Sequence, residues 1–322
     1  MAIKWGVMGT ASIAEGCIIP AMANVDDCEL YAIAGRDETK TKKFKERFCF
    51  KKFYIGYDAL LEDSEIQAVY IPLPNNMHYE WVIKALKAGK HVLCEKPLAL
   101  NAEEARLMYK TAEENDVILA EAFAYLHSPY IKALKNDIQS KIIGDIEYIE
   151  TAFLTQGYKD NIRLYKELGG GAVYDLGGYC ISMILSLLDS SVSYIKASAE
   201  KNENDVDIFT SGILRFNNGT RASFNVAMVF GAESNSRFDR LYIHGTNGCI
   251  RSDVEYNQAG ELKYTIISDG KCIERVIKAK NNYSLELEQM NRVILGREPQ
   301  LITPEFSIKT AEMIDKILAS IA

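Results

Sequence analysis

Between Ile3 and Ala122, short apolar runs alternate with stretches whose apolar residues recur at helical spacing, as in a parallel sheet wound with crossover helices. Strands are expected at residues 3–8, 30–34, 52–55, 68–73, 91–94 and 117–122, each rich in apolar, β-branched or aromatic residues, as strands covered on both faces should be. The spacing predicts helices at 39–48, at 77–88 with Gly89 closing the element, and at 102–115, where Asn101 can cap and Glu104 stands three residues on.

Beyond Phe123 the pattern changes. A helix at 129–140, a strand at 146–153, a long polar loop and a helix near 175–188 precede strands in succession, with alternating runs at 206–216 and 221–229. Asn218-Gly219 and Asp269-Gly270 supply hairpin turns, and closing helices are expected at 284–295 and 307–321. The length of 322 residues suits two domains, expected at 1–123 and 124–322. The fold class is α/β: an N-terminal dinucleotide-binding (Rossmann) domain, then a C-terminal α+β domain with a large open, mostly antiparallel sheet.

Composition narrows the field. With 48% hydrophobic and 25% charged residues the chain is neither disordered nor fibrous. Its 37 basic against 44 acidic residues give a net charge of −7, which repels phosphate backbones and argues against a nucleic-acid partner. Seven cysteines without a CxxC pair suit reduced thiols, and four scattered histidines give no metal-ligand spacing. Lys4, the apolar stretch to Ala14 and Ala21-Met22-Ala23 imitate a signal peptide, but Glu15 and the interspersed glycines argue against one. No apolar run approaches the ~18 residues of a membrane span. A cytoplasmic protein without a membrane partner is expected.

The first strand runs into Gly9-Thr10-Ala11-Ser12-Ile13-Ala14, where a dinucleotide-binding unit brings backbone N–H groups against a pyrophosphate. Of the G-x-G-x-x-G pattern only Gly9 survives, so a simple strand-to-helix turn is the alternative. At the end of the second strand Arg36 precedes Asp37; a guanidinium there can pair with a 2′-phosphate, favouring NADP over NAD, unless it is only a solvated surface residue. The fourth and fifth strands end in Leu73-Pro74-Asn75, with His78 following, and in Glu95-Lys96-Pro97, at the edge where open α/β sheets bind ligands.

These motifs, with the block Gly169-Gly170-Gly171-Ala172-Val173-Tyr174-Asp175-Leu176-Gly177-Gly178-Tyr179, resemble the glucose-fructose oxidoreductase and inositol dehydrogenase (Gfo/Idh/MocA) family along essentially the whole chain. The block, preceded by Asn161-Ile162-Arg163, is most similar to the branch of dimeric dihydrodiol dehydrogenases and NADP-dependent D-xylose dehydrogenases. The resemblance implies that Lys96 is catalytic, that Glu95 helps place it and the nicotinamide ribose, and that Asn75 and His78 line the cofactor site. Most members carry Asp-x-x-x-His in the second domain; here Asp175 is followed by Tyr179, so the implied acid/base is a phenol.

A phenol is a poor base at neutral pH, but a neighbouring ammonium stabilises the phenolate, and Lys96 can supply it. Asp175, four residues before Tyr179, can orient the pair or bind a substrate hydroxyl. The alternative for Tyr179 is a core aromatic with a satisfied hydroxyl. Tyr158, Asn161, Arg163 and Tyr165 can contact hydroxyls of a small polyol, with Arg163 and Tyr158 the candidate substrate ligands. Glycines 169–171 allow close approach to a ligand, a moving lid, or simply the helix start.

The expected activity is hydride transfer between a nicotinamide cofactor, NADP with NAD possible, and a sugar, polyol or trans-dihydrodiol. The rival reading is a non-catalytic dinucleotide or sugar sensor on the same fold. A homodimer, or a dimer of dimers, is expected as well: a broad sheet with helices on one face would expose Phe224, Val226 and Met228 unless a second copy covered them.

Overall fold

The computed structural model describes residues 2–155, 161–229 and 237–322. The chain opens with β1 (Ile3–Met8), a π-helical turn over Ala14–Ile18 leading into α1 (Ile19–Met22), β2 (Cys28–Gly35), α2 (Glu38–Arg47), β3 (Lys52–Ile55) and α3 (Tyr57–Leu61). It continues through β4 (Ala68–Ile71), α4 (Asn75–Lys87), β5 (His91–Glu95), α5 (Ala102–Glu114) and β6 (Leu119–Ala122). These strands make a parallel sheet in the order β3-β2-β1-β4-β5-β6. This is the doubly wound dinucleotide-binding order, which reverses between β1 and β4 and leaves a ligand crevice at the carboxyl ends there.

Local chemistry sets the helix starts. Asp37 caps α2 by accepting the Lys40 N–H at 2.9 Å, and Asn101 caps α5 by accepting the Glu104 N–H at 2.9 Å. Helix α4 begins at Asn75, two residues ahead of Met77, with Pro74 in extended conformation as its N-cap residue. The short α3 escaped prediction because five residues are too few to show a helical period.

The rest comprises α6 (Pro129–Gln139), β7 (Ile146–Leu154), a second π-helical turn over Val173–Gly177, α7 (Gly178–Leu187), β8 (Val192–Lys201), β9 (Asp207–Phe216) and β10 (Arg221–Ala227). Then follow β11 (Phe238–Gly245), β12 (Gly248–Ser252), β13 (Gly260–Ser268), β14 (Lys271–Ala279), α8 (Asn282–Ile294) and α9 (Pro304–Ile321). The second sheet is ordered β14-β13-β12-β11-β7-β10-β9-β8, antiparallel except between β7 and β10.

Contacts gather the chain into two units, Met1–Ala124 with Asn281–Ile308, and Tyr125–Lys280 with Lys309–Ala322. The first unit thus reaches beyond the segment that the change of pattern marked. Helix α8 belongs to it because Leu287 and Met290 join the core of Trp5, Ile18 and Ile33. Asn291, buried with them, accepts from Trp5 Nε1 at 3.0 Å and donates to the Asp27 carbonyl at 2.8 Å.

In the second unit the premise offered for a partner is overturned. Phe224, Val226 and Met228 are fully buried within the chain. They lie on the sheet face that the Val173–Gly177 turn and α7 cover, while Ser223 and Asn225 on the alternate positions are only half-buried. Phe224 stands opposite Gly212, where an added Cβ would meet its ring at 2.2 Å, so the glycine makes room for the aromatic. The stretch Lys166–Leu187 is apolar enough over an 18-residue window to pass as a membrane span, contrary to expectation, but 78% of that window is buried inside the fold. Core packing accounts for its apolarity.

Candidate functional site

In the first unit the candidate cofactor residues stand at the carboxyl ends of the strands. Gly9 follows β1 with φ +112, a conformation that side chains rarely adopt, and a Cβ there would press on Leu73 at 3.2 Å. Its N–H donates to the Ala34 carbonyl at 2.7 Å, which fixes the turn between β1 and β2. Thr10, Ala11, Ser12 and Ile13 follow with Ser12 exposed, whereas Ala14 is fully buried in the core. The Glu15 N–H bonds back to the Ala11 carbonyl at 3.0 Å, so the amides before it stand at a helix start, the geometry that receives a phosphate.

Arg36 is exposed at the end of β2. Its acidic neighbour Asp37 is occupied as the α2 cap, which leaves the guanidinium as the charged group at that strand end. Tyr57, not foreseen from sequence, lies beside Arg36; burial pushes its hydroxyl up and the guanidinium opposes this. A glycine turn that only glycine fits, a helix start and this cation at one sheet edge fit a phosphorylated dinucleotide.

At the end of β4, Leu73 is buried, and Pro74 and Asn75 open α4. His78 departs from expectation. It is fully buried, with Nδ1 2.9 Å from the Pro97 carbonyl and Nε2 2.8 Å from the Leu73 carbonyl. It therefore ties the β4 loop to the β5 loop from behind instead of lining the crevice. Burial lowers its pKa and the two backbone carbonyls oppose this; with one N–H the ring donates to one carbonyl at a time.

Glu95 accepts the Tyr70 hydroxyl at 2.6 Å, and Lys96 next to it is 9% exposed, joined to Pro97 by a cis peptide bond. Two carboxyls under this loop went unforeseen. Glu121 on β6 accepts the Leu98 N–H at 2.9 Å and is pushed up to about 7 by burial, against the Ser307 hydroxyl, that N–H and the Lys96 charge. Glu286 on α8 is buried with no hydrogen-bond partner for either oxygen among the described residues; burial, then the nearby Glu95, drive its pKa far above the carboxylate range. A glutamate inside the apolar strand 119–122 was the available signal for the first.

In the second unit, Asp175 and Tyr179 sit one turn apart where the π-helical turn passes into α7. Arg163 Nε reaches Asp175 Oδ1 at 2.8 Å, so two expected substrate ligands hold each other. Tyr158 lies outside the described residues. Of the three readings of the glycines, the structure displays the helix start. A Cβ on Gly170 would strike the Arg163 carbonyl at 2.3 Å, and one on Gly171, whose φ is +133, would strike Asp207 Oδ1 at 2.3 Å. Asp207 needs that approach to accept the Val173 N–H at 2.8 Å and the Thr210 hydroxyl at 2.9 Å; burial pushes its carboxyl up to about 6.

Tyr179 is walled by Phe153, Tyr125 and Tyr256, with ring centroids at 5.5, 5.7 and 5.0 Å. The Asn257 amide donates to its hydroxyl at 3.3 Å. Neither Asn257 nor this aromatic wall was singled out from sequence, since contacts across 78 residues leave no local signature.

A doubly wound sheet with this glycine turn, joined to a mixed sheet that presents a tyrosine at a helix start, defines the class of two-domain nicotinamide-dinucleotide oxidoreductases. Residues 3–123 match the family model of GFO_IDH_MocA, the oxidoreductase family with an NAD-binding Rossmann fold, and residues 131–251 match the GFO/IDH/MocA C-terminal domain; the chain belongs to this family. It is 30% identical to a D-xylose 1-dehydrogenase (NADP(+)) of Haloferax volcanii, over 99% of this chain and 97% of that protein. It is 32% identical to a trans-1,2-dihydrobenzene-1,2-diol dehydrogenase of Xenopus tropicalis, over 78% of this chain and 75% of that one. A 3-ketoreductase from Actinomadura kijaniata, solved in complex with NADP and TDP-benzene, superposes with a TM-score of 0.92 at 28% identity, covering 100% of this chain and 98% of that one. The chain is an NAD(P)-dependent oxidoreductase.

Proposed function

We propose that the protein interconverts an alcohol and a carbonyl on a sugar, polyol or trans-dihydrodiol, prefers NADP(H), and uses Tyr179 as acid/base with Lys96 as its cationic partner. One observation carries the reading. From Gly171 to Leu185 every residue is buried except Tyr174 and Tyr179, so Tyr179, one turn after Asp175, keeps part of its surface open to a ligand. The xylose and dihydrodiol dehydrogenases and the NADP-bound 3-ketoreductase act, by their names, on the kind of substrate proposed.

When bound, the dinucleotide supplies the hydride acceptor or donor of the nicotinamide. The turn Gly9, Thr10, Ala11, Ser12, Ile13 would hold its pyrophosphate, Arg36 its 2′-phosphate, and Leu73, Pro74, Asn75 and Glu95 its nicotinamide half, with His78 bracing the loops. Tyr179 takes or returns the proton at the reacting oxygen, an ammonium at Lys96 favours the phenolate, and Arg163 with Asp175 meets substrate hydroxyls. Seven free thiols suit the cytoplasm. The homodimer now rests on the family resemblance, and sedimentation at micromolar concentration tests it.

Tyr179→Phe and Lys96→Met are each expected to lower kcat by about a hundredfold or more while NADP affinity holds, read as NADPH absorbance over a panel of aldoses, ketosugars and diols. Near-normal turnover in either variant refutes the assignment.

A further inference from the structure

We propose that Asn257 is a positioning residue for Tyr179, locked in place by an Arg237–Asp239 clamp so that its side-chain amide donates to the phenol oxygen and sets the pH at which Tyr179 releases its proton. The inference rests on the reading of Tyr179 as acid/base and deepens it.

The second unit alone supplies the geometry. Asn257 Nδ2 stands 3.3 Å from the Tyr179 hydroxyl oxygen, and Asn257 itself has φ +64, a left-handed conformation that asparagine tolerates better than most side chains. Such a residue aims its side chain reliably only if the backbone around it is held. Here Arg237 and Asp239 form a two-pronged pair, Nε to Oδ1 at 2.9 Å and Nη2 to Oδ2 at 2.5 Å. The same two side chains grip both backbone polar groups of Tyr256: its N–H donates to Asp239 Oδ2 at 2.7 Å, and its carbonyl accepts from Arg237 Nη2 at 3.0 Å. Asp239 is almost wholly buried, and the Arg237 guanidinium lies 4.3 Å over the Phe153 ring, which itself packs on Tyr179. The phenol is thus bordered by three aromatic rings and met at its oxygen by a donor whose neighbouring backbone is hydrogen-bonded on both sides of Tyr256.

A donor to a phenol oxygen favours the ionised form, because a phenolate accepts far more strongly than a phenol. Among the described residues of this unit, the titratable and charged groups around Tyr179 include Asp175 and Cys180 on its own helical run, Tyr125 from the turn Ala124–His127, Tyr256 beside Asn257, and Arg237, Asp239 and Glu255. Asp175 and Asp239 are ion-paired, with Arg163 and Arg237. Glu255 stands 3.8 Å from Arg237. The Tyr125 hydroxyl is bound to Ser182 Oγ at 2.8 Å. Burial pushes the Cys180 thiol up to about 12 and the Tyr256 hydroxyl far above its ordinary range, so both stay protonated. The Asn257 amide, which has no charge of its own to lose, remains a donor to the Tyr179 oxygen throughout the working pH range.

The test needs no substrate. Full-length protein is made with 3-fluorotyrosine, and the Tyr179 fluorine resonance, assigned by its absence from Tyr179→Phe, is titrated with pH in wild type, Asn257→Leu and Asn257→Asp. The midpoint should rise by about one pH unit in Asn257→Leu, the size of one lost bond to a charged acceptor, leaving about tenfold less phenolate at a given lower pH. It should rise further in Asn257→Asp, where a carboxylate faces the phenolate. Should the leucine variant fail to fold, the near-isosteric aspartate carries the test. Unshifted midpoints overturn the role of Asn257 and leave the acid/base reading intact. Full turnover by Tyr179→Phe overturns that reading without touching the midpoints.

Discussion

Replacing Glu121 with glutamine should change how the stability of the first unit responds to pH. The wild-type carboxyl rises from an ordinary 4.5 to about 7 on folding, chiefly because burial penalises the charge. Between those values the folded state holds a proton that the unfolded chain has lost, so stability falls as pH rises from about 4.5 and levels off above about 7. At ~1.4 kcal/mol per pKa unit the loss is about 3 kcal/mol. Glu121→Gln keeps an oxygen for the Leu98 N–H, which now reaches Oε1 at 2.9 Å, and cannot ionise. The variant should match wild type near pH 4 and exceed it by about 3 kcal/mol at pH 8. Trp5 and Trp81, the two tryptophans of the chain, both lie in the first unit, so urea unfolding followed by tryptophan fluorescence reads that unit directly. Other titrating groups, Glu286 among them, cancel in the difference between the two proteins. Parallel stability curves from pH 4 to 8 would refute the reasoning, since they would mean that Glu121 carries no folding-linked proton.

Arg36→Ala should lower the ratio of kcat/KM with NADP to that with NAD by about 10–100-fold, the worth of charge-assisted bonds to a phosphate, and an unchanged ratio would assign the 2′-phosphate to another group. Gly171→Ala should destabilise the start of α7 by about 2–4 kcal/mol, because the residue would be strained at φ +133 and its Cβ would displace the Asp207 cap 2.3 Å away. Gly178→Ala is the contrast: its φ of −51 is helical and an added Cβ meets no other part of the fold within 4 Å among the described residues, so it should be neutral or stabilise by about 0.4–1 kcal/mol. Hydrogen exchange of the α7 amides measures both, and equal protection in the two variants would dismiss the argument from Asp207.

Much of the architecture was readable along the chain because its causes are local. Continuous apolar runs at strand length, Asn101 ahead of Glu104, Asp37 at a strand end and Asn-Gly turns act within a few residues, so the wound first sheet and the hairpins of the second follow from neighbours. The motifs around Gly9, Lys96 and Tyr179 were legible for the same reason: each is a short string at the end of one element. The tertiary structure decided what depends on distant partners. The alternation of β10 showed that Phe224, Val226 and Met228 share a face, but only the packing of α7 against it showed that this face is already covered. His78 read as a crevice residue until two carbonyls, from Leu73 and Pro97, claimed its ring. Glu121 and Glu286 owe their raised pKa values to burial, a property of the assembled core. Asn257 meets Tyr179 across 78 residues because Arg237 and Asp239 hold its backbone there, and no periodicity or spacing encodes a contact built by chain closure over that distance.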